Sequence, residues 1–493
     1  MSHNDLPLLL FGDQLGPHFR TGHEHRQVVL VESMAALRRK PYHRQKLHLV
    51  LSGLRHLAAE LGDRAVVLTS GTYRQALRDL GRPVVVFEPS SHAAQALVDR
   101  MQAEGLVAEV LPSPAFALSR AEFARWARGR ERFLMEDFYR DQRRRFDVLM
   151  DAGEPVGGRW NFDADNREAP PSGTTRLGMP EPWWPEEDAI DASVRRDLDA
   201  WSLPTVGRDG PRLFVITRQE AVQALRRFID ERLRSFGPYE DAVLARDWTM
   251  AHSLLSVPLN HGLLQPLEVV RAAEQAHRET GLPLAGVEGF VRQVLGWREY
   301  VWHLYWHYGP DYLEHNRFGA SMPLPDWWME LRPGHIRAAC LRTALEGVRE
   351  RGWVHHIQRL MVLGNHALQR GYDPKALNDW FATAFVDGTP WVMPVNVIGM
   401  SQHADGGRIA TKPYLSGGAY LNRMTDHCRG CWFNPKLRRG DRACPFTAGY
   451  WAWLDRHEQL VAGNHRMARA VQSLRRLDDI AAVAEQEAER DVF

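Results

Sequence analysis

The four cysteines of the chain have a spacing that suits the ligands of one inorganic centre. Cys428, Cys431 and Cys444 form a C-x2-C-x12-C pattern directly followed by Pro445, and Cys340 stands alone upstream. Thiolates are soft ligands that suit Zn²⁺ or an iron–sulfur cluster, and the spacing does not distinguish the two. A lone cysteine is more often a buried core thiol, so the inference depends on the group of three. A centre bound by all four would close a loop of roughly ninety residues.

Candidate proton-transfer and ion-pairing residues lie between Cys340 and that group. His355 and His356 are neighbours in the stretch WVHHIQRLMVLGNH. A histidine is the obvious general acid near neutral pH, although an ordinary structural role explains each of them as well. Adjacent residues on a helix point about 100° apart, so the two are not expected to face one site equally. Arg359 and Asp387 are expected to pair if both are buried.

Two further stretches combine a helical pattern with polar side chains. Ser253 and Ser256 flank a helix start at Pro258, where free N–H groups could bind phosphate, although an ordinary helix cap explains them too. The stretch VEGFVRQVLGWREYVWHLYWHY has apolar residues at helical spacing and indicates a core helix. Core packing explains its polar residues less easily, and they could line a polar ligand: Glu288, Gln293, Arg298 and Glu299.

The order of apolar and amphipathic segments predicts two kinds of domain. Up to residue 111, short apolar runs alternate with helical patterns, which indicates a doubly wound parallel sheet. The runs are Leu8–Phe11, Val28–Val31, Ala65–Thr69, Val84–Phe87 and Val107–Leu111. A Gly- and Pro-rich stretch from Asp151 to Pro185 predicts a surface connector. We therefore predict an α/β domain over residues 1–120, a helix and interdomain linker over 121–212, and an all-α domain over 213–493.

Composition excludes several classes of protein. The 493 residues carry 62 Lys and Arg against 61 Asp and Glu, so only a local basic face could bind DNA. No stretch approaches the ~18 apolar residues of a membrane helix, and the apolar run near the N-terminus lacks the basic flank of a signal peptide. We expect a monomeric, cytoplasmic protein that does not bind membranes and uses its cysteines for metal rather than disulfides.

Several motifs together resemble the photolyase/cryptochrome flavoproteins. They are GGRWNFDADNR, LGWREY, HHIQRLMVLGN and TPWVMPVNVIGMSQ. The four-cysteine pattern narrows the resemblance to the iron–sulfur bacterial branch, the prokaryotic (6-4) photolyases and their cryptochrome relatives. The resemblance implies an α/β antenna-type domain, a larger all-α domain that binds FAD, and a [4Fe-4S] cluster on the four cysteines. It also implies a lyase that repairs (6-4) pyrimidine photoproducts in UV-damaged DNA by light-driven electron transfer from reduced FAD.

The resemblance also implies roles for single residues. Those expected to bind FAD are Tyr239, Ser253, Leu254, Leu255, Ser256, Asn260, Glu288, Gln293, Arg298, Arg359, Asp387 and Asn396, the last facing flavin N5. His356 is the expected catalytic histidine, with His355 beside it, and Trp380 is the flavin-proximal electron donor. The lesion and its DNA are expected to contact Met400, Tyr414, Tyr420 and Arg423. A 6,7-dimethyl-8-ribityllumazine antenna is expected beside Asp13 and Glu32.

Two positions depart from the pattern of that family. Arg332 stands where a tryptophan is common, and Phe381 follows Trp380 where a tyrosine is common. Both changes affect the usual route of electrons to the flavin. The outer steps are then expected to use other aromatic residues, such as Trp353 or Trp391.

Two other functions are consistent with the same residues. A cryptochrome-type blue-light photoreceptor would bind the same cofactors and produce a signal instead of repaired DNA. A light-independent, zinc-stabilised nucleic-acid-binding protein would need the cysteines but no flavin. His356 favours repair over signalling, and cyclobutane dimers remain an alternative lesion.

Overall fold

The N-terminal part of the computed structural model, which describes residues 5–493, is the predicted parallel sheet. Its strands are Leu8–Leu10 (β1), Val28–Ser33 (β2), Ala65–Ser70 (β3), Val84–Phe87 (β4) and Val107–Leu111 (β5). They lie in the order β3-β2-β1-β4-β5, and all neighbours pair in parallel. Alternate strand residues enter two separate apolar clusters, Leu8 and Leu10 one, Leu9 and Val29 the other. Both faces of the sheet are therefore covered, as doubly wound sheets require.

The helices around this sheet follow the predicted alternation. They span Met34–Arg38, Arg44–Leu61, Tyr73–Leu80 and His92–Ala103, with 3₁₀ turns at Pro17–Phe19 and Gly62–Arg64. The helix predicted at the start of the 121–212 segment is instead two helices, Arg120–Ala127 and Met135–Phe146. The break contains Gly129, whose φ of 74° no helix can include.

The connector that follows is irregular, as predicted, but part of it is buried. It contains a hairpin of Met150–Asp151 with Glu154–Pro155, 3₁₀ turns at Val156–Gly158 and Asp163–Asp165, the helix Ala189–Trp201, and Thr205–Val206 paired with Tyr42–His43. Phe162 and Asn166 are buried. Asn166 Nδ2 donates to Ala285 O at 2.8 Å, and Asp163 Oδ1 accepts from Arg292 Nη2 at 2.6 Å. The GGRWNFDADNR motif is thus packed against the helical domain.

The remainder of the chain is helical, as predicted. The α-helices are Arg218–Glu231, Leu233–Phe236, Ser256–Asn260, Pro266–Thr280, Leu284–Val291, Glu299–Tyr308, Asp326–Met329, Ala339–Arg351, Asn365–Arg370, Pro374–Ala384, Val392–Pro394, Gly418–Met424, Pro445–Val461, Ala468–Leu474 and Ile480–Ala488. The 3₁₀ turns are Pro310–Glu314, Pro333–His335 and His427–Gly430. Within residues 5–493, every helix is too short or too polar to cross a membrane.

Three segments of the helical region are π-helical. They are Arg292–Arg298, Gln358–Gly364 and Val395–Ser401, and each continues directly into or out of an α-helix. Such segments are rare and occur frequently at functional sites. All three contain residues expected at the cofactor or the lesion: Gln293, Arg298, Arg359, Asn396 and Met400.

A buried lysine connects the sheet domain to the helical domain. Lys46, on the helix Arg44–Leu61, donates from Nζ to Ala382 O at 2.6 Å, to Phe385 O at 3.2 Å and to Gly388 O. A cation at a helix C-terminus satisfies carbonyls that have no partner within the helix. Burial lowers the pKa of Lys46 to about 7. The sheet domain thereby fixes the loop that carries Asp387.

Candidate functional site

The four cysteines converge from three separate segments. Cys340 lies in the first turn of the helix Ala339–Arg351 and Cys428 in the turn His427–Gly430, with Cys431 just after that turn. Cys444 directly precedes the helix Pro445–Val461. Cys340 and Cys444 are buried, and Cys431 Sγ accepts the Ala339 N–H at 3.4 Å. The thiols are close enough to perturb one another: burial, and then the three neighbouring thiols, raise the pKa of Cys340 well above its usual value.

The surroundings of the cysteines are shaped around a small residue. A Cβ added at Gly418 would lie 2.6 Å from Thr447 Oγ1, 3.0 Å from Pro435 O and 3.1 Å from Cys444 Sγ. The helix Gly418–Met424 can therefore approach the cysteines closely only because its first residue has no side chain.

The predicted pair of Arg359 and Asp387 forms, and it is bidentate. Arg359 Nη1 and Nη2 donate to Asp387 Oδ1 and Oδ2 at 2.9 and 3.1 Å. Two other residues expected at the cofactor join them: Ser256 Oγ donates to Asp387 Oδ2 at 2.8 Å, and Asn260 Nδ2 donates to Asp387 O at 3.2 Å. Four expected FAD residues from distant parts of the sequence thus form one hydrogen-bonded group.

Arg298 connects this hydrogen-bonded group to two aromatic residues, Phe116 and Trp391. Its Nη2 donates to Leu259 O at 3.1 Å, next to Asn260. Its guanidinium lies 4.4 Å from the ring centre of Phe116 and 5.3 Å from that of Trp391. Trp391, which the sequence reasoning offered as an outer electron carrier, packs at 5.2 Å against Phe116 and makes no ring contact with Trp380 in the described chain. Trp353 instead contacts Trp248, at 5.5 Å.

Buried polar atoms lack partners at the positions where a polar ligand is expected. Within residues 5–493, Arg298 Nε, Asn378 Oδ1 and Trp380 Nε1 are buried and have no hydrogen-bond partner. Buried polar groups in native proteins are nearly always satisfied. Leu254 also has a φ of 58°, a conformation that bulky residues adopt rarely and that clusters at ligand sites. These features fit a polar cofactor enclosed by this domain.

The remaining expected cofactor residues are more dispersed. Glu288 Oε2 accepts the Phe162 N–H at 2.9 Å, so this buried carboxylate holds the connector motif. Asn396 Nδ2 donates to Val392 O at 2.8 Å. Ser253 Oγ accepts the Leu255 N–H at 3.3 Å. Their assignment to FAD stays a prediction.

His355 and His356 belong to a group of three histidines. His252 Nε2 and His355 Nε2 share a hydrogen bond, and the His355 and His356 rings stack with centroids 4.7 Å apart. His355 Nδ1 accepts the Ile357 N–H at 3.1 Å, so the proton of the neutral ring resides on Nε2. Burial lowers the pKa of His355 well below its usual range. His356 is exposed, so of these two neighbours only His356 can readily exchange a proton with a ligand.

The exposed His356 faces charged and aromatic residues. Its Nε2 lies 3.2 Å from Asp241 Oδ1, and Asp241 Oδ2 lies 3.8 Å from Arg167 Nε of the connector motif. Asp241 and Arg167 also act electrostatically on the hydroxyls of Tyr414 and Tyr420, two residues expected at the lesion. The guanidinium of Arg423 lies 5.8 Å from the Tyr420 ring. Three of the four expected lesion residues, Tyr414, Tyr420 and Arg423, therefore lie near the group that contains His356.

A buried carboxyl group lies close to this group of residues. Glu240 Oε1 accepts from Gln293 Nε2 at 2.6 Å, and Glu240 adjoins both Tyr239 and Asp241 in the chain. Burial is the main reason that the pKa of Glu240 rises to about 7, and the charge of His356 opposes the rise. Glu240 is therefore only partly ionised near neutral pH, close to the exposed histidine.

The expected antenna residues lie at the carboxyl edge of the sheet. Asp13 follows β1, and its Oδ2 accepts from Ser90 Oγ, after β4, at 2.5 Å. The β1/β4 boundary is where strand order reverses, which is the usual ligand crevice of such sheets. The Glu32 carboxylate is already hydrogen-bonded within the protein, because its oxygens accept from Arg55 at 2.7 and 3.1 Å and from Thr69 at 2.9 Å.

Several residues of this site were missed by the sequence reasoning. Asp241 and Glu240 follow Tyr239 directly, and His252 precedes Ser253, but none of the three stands in a spacing pattern. The clearest missed signal is the pair Trp327-Trp328, two large aromatic residues shortly before Arg332.

Comparison with known proteins gives one consistent family. Residues 8–213 match the family described as deoxyribodipyrimidine photo-lyase-related protein. Over 492 residues the chain is 39% identical to a (6-4) photolyase of Agrobacterium fabrum, covering 96% of each chain. A class III photolyase structure from Agrobacterium tumefaciens has a TM-score of 0.53 at 18% identity, over 82% of this chain and 80% of that one. A Synechocystis cryptochrome structure has 0.55 at 14% identity, over 99% and 95%. These two structures show the fold alone.

Proposed function

The chain belongs to the (6-4) photolyase family, and we propose that it is a lyase that uses blue light to reverse (6-4) pyrimidine photoproducts in DNA. The observation that carries the proposal is the exposed His356, held by Asp241 on a surface that includes Tyr414 and Tyr420. A flipped-out damaged base needs such a surface, with aromatic rings to stack on and a group that can deliver a proton.

We propose that the helical domain binds FAD through the group of Arg359, Asp387, Ser256 and Asn260, with Arg298 and Asn396 on adjoining segments. When bound and reduced, FAD supplies the light-driven electron that the bond rearrangement requires. The bidentate ion pair holds two segments of the pocket together. The partnerless buried atoms Asn378 Oδ1 and Trp380 Nε1 support a polar ligand beside this group.

The proposed proton chemistry belongs to His356. Its Nε2 faces Asp241 Oδ1 at 3.2 Å, so the carboxylate orients the ring and would stabilise an imidazolium formed there. His355 stays neutral, and its ring stacks against the His356 ring and holds that ring in place. Tyr414 and Tyr420 flank the lesion, while Arg423 and the exposed Lys436 and Arg439 contact phosphates.

We propose that Cys340, Cys428, Cys431 and Cys444 hold a [4Fe-4S] cluster. A tetrahedral Zn²⁺ with bonds of ~2.3 Å would bring its sulfurs to within ~4 Å of one another. In the described chain, three potential metal-ligand atoms lie within 4.8 Å of one another at two places, and neither place includes a cysteine. No three of the four described sulfurs therefore lie as close together as one zinc ion would hold them, while the thiols do act electrostatically on one another, which supports a larger shared centre. The lumazine antenna, beside Asp13, is part of the same proposal.

The test is repair of defined lesions by the purified, reduced protein. Oligonucleotides with one (6-4) photoproduct or one cyclobutane dimer are incubated in the dark and under blue light. We expect light-dependent loss of the (6-4) product. Flavin binding without loss of either lesion would overturn the proposal and favour a photoreceptor, and repair of the dimer alone would overturn the lesion assignment.

A further inference from the structure

We infer that electrons reach the flavin through a tryptophan relay of Trp380, Trp328 and Trp327, which substitutes for the route removed at Arg332 and Phe381. This inference rests on the proposed function, because it assumes that Trp380 lies beside a bound flavin. The ring centroids of Trp380 and Trp328 are 5.2 Å apart, and those of Trp328 and Trp327 are 5.6 Å apart. The relay therefore consists of two direct ring contacts.

The other neighbours of Trp380 cannot carry this electron. In the described chain its remaining ring contacts are Phe381 at 5.0 Å and Phe385 at 5.7 Å. Phenylalanine has no hydroxyl or indole N–H and is far harder to oxidise than tryptophan. Arg332 is exposed and its guanidinium pairs with Glu330 at 2.8 Å, so it has neither a ring nor a position in the core. Trp328 is thus the oxidisable ring in contact with Trp380.

Burial gives the relay a direction. Trp380 and Trp328 are buried, and the Nε1 atom of each has no hydrogen-bond partner in the described chain. An indole cation radical formed at Trp328 therefore has no hydrogen-bonded protein group in the described chain to take its N–H proton. It is neutralised by an electron from a neighbouring ring, and Trp327 at 5.6 Å is nearer than the buried Tyr372 at 5.9 Å. Trp327 is only partly buried, so its indole can lose a proton to water.

The electron and proton balance is closed by an external thiol. Trp380 gives one electron to the light-excited, oxidised flavin and regains one from Trp328. Trp328 regains one from Trp327, whose cation radical then loses its Nε1 proton to water. The neutral Trp327 radical is reduced by a hydrogen atom from a thiol reductant in solution, which becomes a thiyl radical. The flavin has then gained one electron, and the three tryptophans are unchanged.

A second row of tryptophans provides a matched control. Trp353, Trp248 and Trp184 are joined by ring contacts of 5.5 and 5.6 Å, and the guanidinium of Arg359 lies 5.5 Å from the Trp353 ring. This row has similar spacing and also ends at partly buried rings, but it does not contact Trp380. Removal of Trp248 therefore tests whether a row of tryptophans that does not contact Trp380 can also pass electrons to the flavin.

The test compares the wild-type holoprotein with W328F, W327F and W248F. Oxidised protein is illuminated with blue light in the presence of a thiol, and flavin reduction is followed by absorbance while transient absorption follows tryptophan radicals. We expect W328F to reduce its flavin more slowly than the wild type and to lose the long-lived radical. W327F should form a short-lived radical only, and W248F should match the wild type.

Flavin content and melting temperature show that each variant folds. Repair by chemically reduced W328F separates the relay from the proposed function, since repair itself does not use the relay. Wild-type photoreduction kinetics in W328F, or slowed kinetics in W248F alone, would overturn the relay even if repair is intact. Absence of repair by the wild type would instead overturn the proposed function and leave the relay testable by photoreduction.

Discussion

His356 Nε2 and Asp241 Oδ1 lie 3.2 Å apart, and this contact occurs at the exposed end of a group of three histidines. The other two members, His252 and His355, have pKa values held well below the usual range by burial. One imidazole that can carry a proton is therefore stacked on a ring that stays neutral. The arrangement supports the proposed proton transfer by His356 and the proposed positioning role of its neighbours.

Replacement of His356 should lower the repair rate strongly without loss of the flavin. General acid catalysis contributes ~10²–10⁴-fold to rates, so H356A is expected to lower the repair rate by that amount. D241N should lower it less, because the imidazole is still present but is held less firmly. Repair of (6-4) DNA by chemically reduced protein measures both. The exposed His465 gives the control variant H465A, and repair by H356A at the rate of that control would remove the role assigned to His356.

Loss of the Arg359 partner should destabilise the pocket. D387N removes the carboxylate that pairs with the Arg359 guanidinium. Removal of one member of a buried ion pair lowers the free energy of unfolding by about 3–5 kcal/mol. We expect a lower free energy of unfolding and a smaller fraction of bound flavin. The matched control is D379N, because Asp379 pairs with Lys40 at the surface, where a pair contributes about 0–1 kcal/mol. Equal effects of the two variants would contradict the central position of Asp387.

Glu240 should make stability depend on pH below neutrality. Burial raises the pKa of Glu240 to about 7 in the folded protein, whereas an exposed glutamate titrates near 4.3. Between these values the folded state holds a proton that the unfolded state has lost. The free energy of unfolding therefore falls as the pH rises through this window, by up to about 1.4 kcal/mol per pH unit, and the penalty is complete above pH 7.

The E240Q variant isolates this contribution. Denaturant unfolding at pH 5, 6 and 7 should give a steeper loss of stability for the wild type than for E240Q. The exposed Glu489 gives the control variant E489Q, which should follow the wild type. Identical pH slopes for wild type and E240Q would show that Glu240 is ionised in the folded protein.

A methyl group at Gly418 should disturb the cysteine centre. The added Cβ of G418A would meet Thr447 Oγ1, Pro435 O and Cys444 Sγ at 2.6–3.1 Å, and overpacking of this kind costs about 1–3 kcal/mol. We expect less bound iron per chain and weaker broad visible absorbance. G430A is the control, because a Cβ at Gly430, between Cys428 and Cys431, meets nothing within 4 Å. Equal iron contents would mean that the helix can move away from the cysteines.

The sequence predicted the elements of the fold better than their irregularities. Each apolar run of the first 111 residues is a strand, because buried parallel strands are continuous hydrophobic segments. The π-helical segments could not be predicted, since Arg292–Arg298 has nearly the same apolar spacing as the α-helices beside it. The break at Gly129 was missed because the amphipathic pattern continues on both sides of it.

The site was predictable where chemistry forces partners together. Arg359 and Asp387 could be paired because two charges among apolar neighbours must neutralise each other. Asp241, Glu240 and His252 were missed because the fold, not the spacing, brings them to His356. Trp328 was missed for the same reason: its contact with Trp380 joins two helices far apart in the chain.

The most direct test of the central claim is to count (6-4) photoproducts in a duplex before and after blue light. The duplex is incubated with reduced wild-type protein or with H356A, digested to nucleosides, and analysed by mass spectrometry. We expect the wild type to convert the photoproduct to intact pyrimidines in light only, and H356A to convert it at least ~10²-fold more slowly. An unchanged photoproduct after illumination with the flavin-loaded wild type would contradict it.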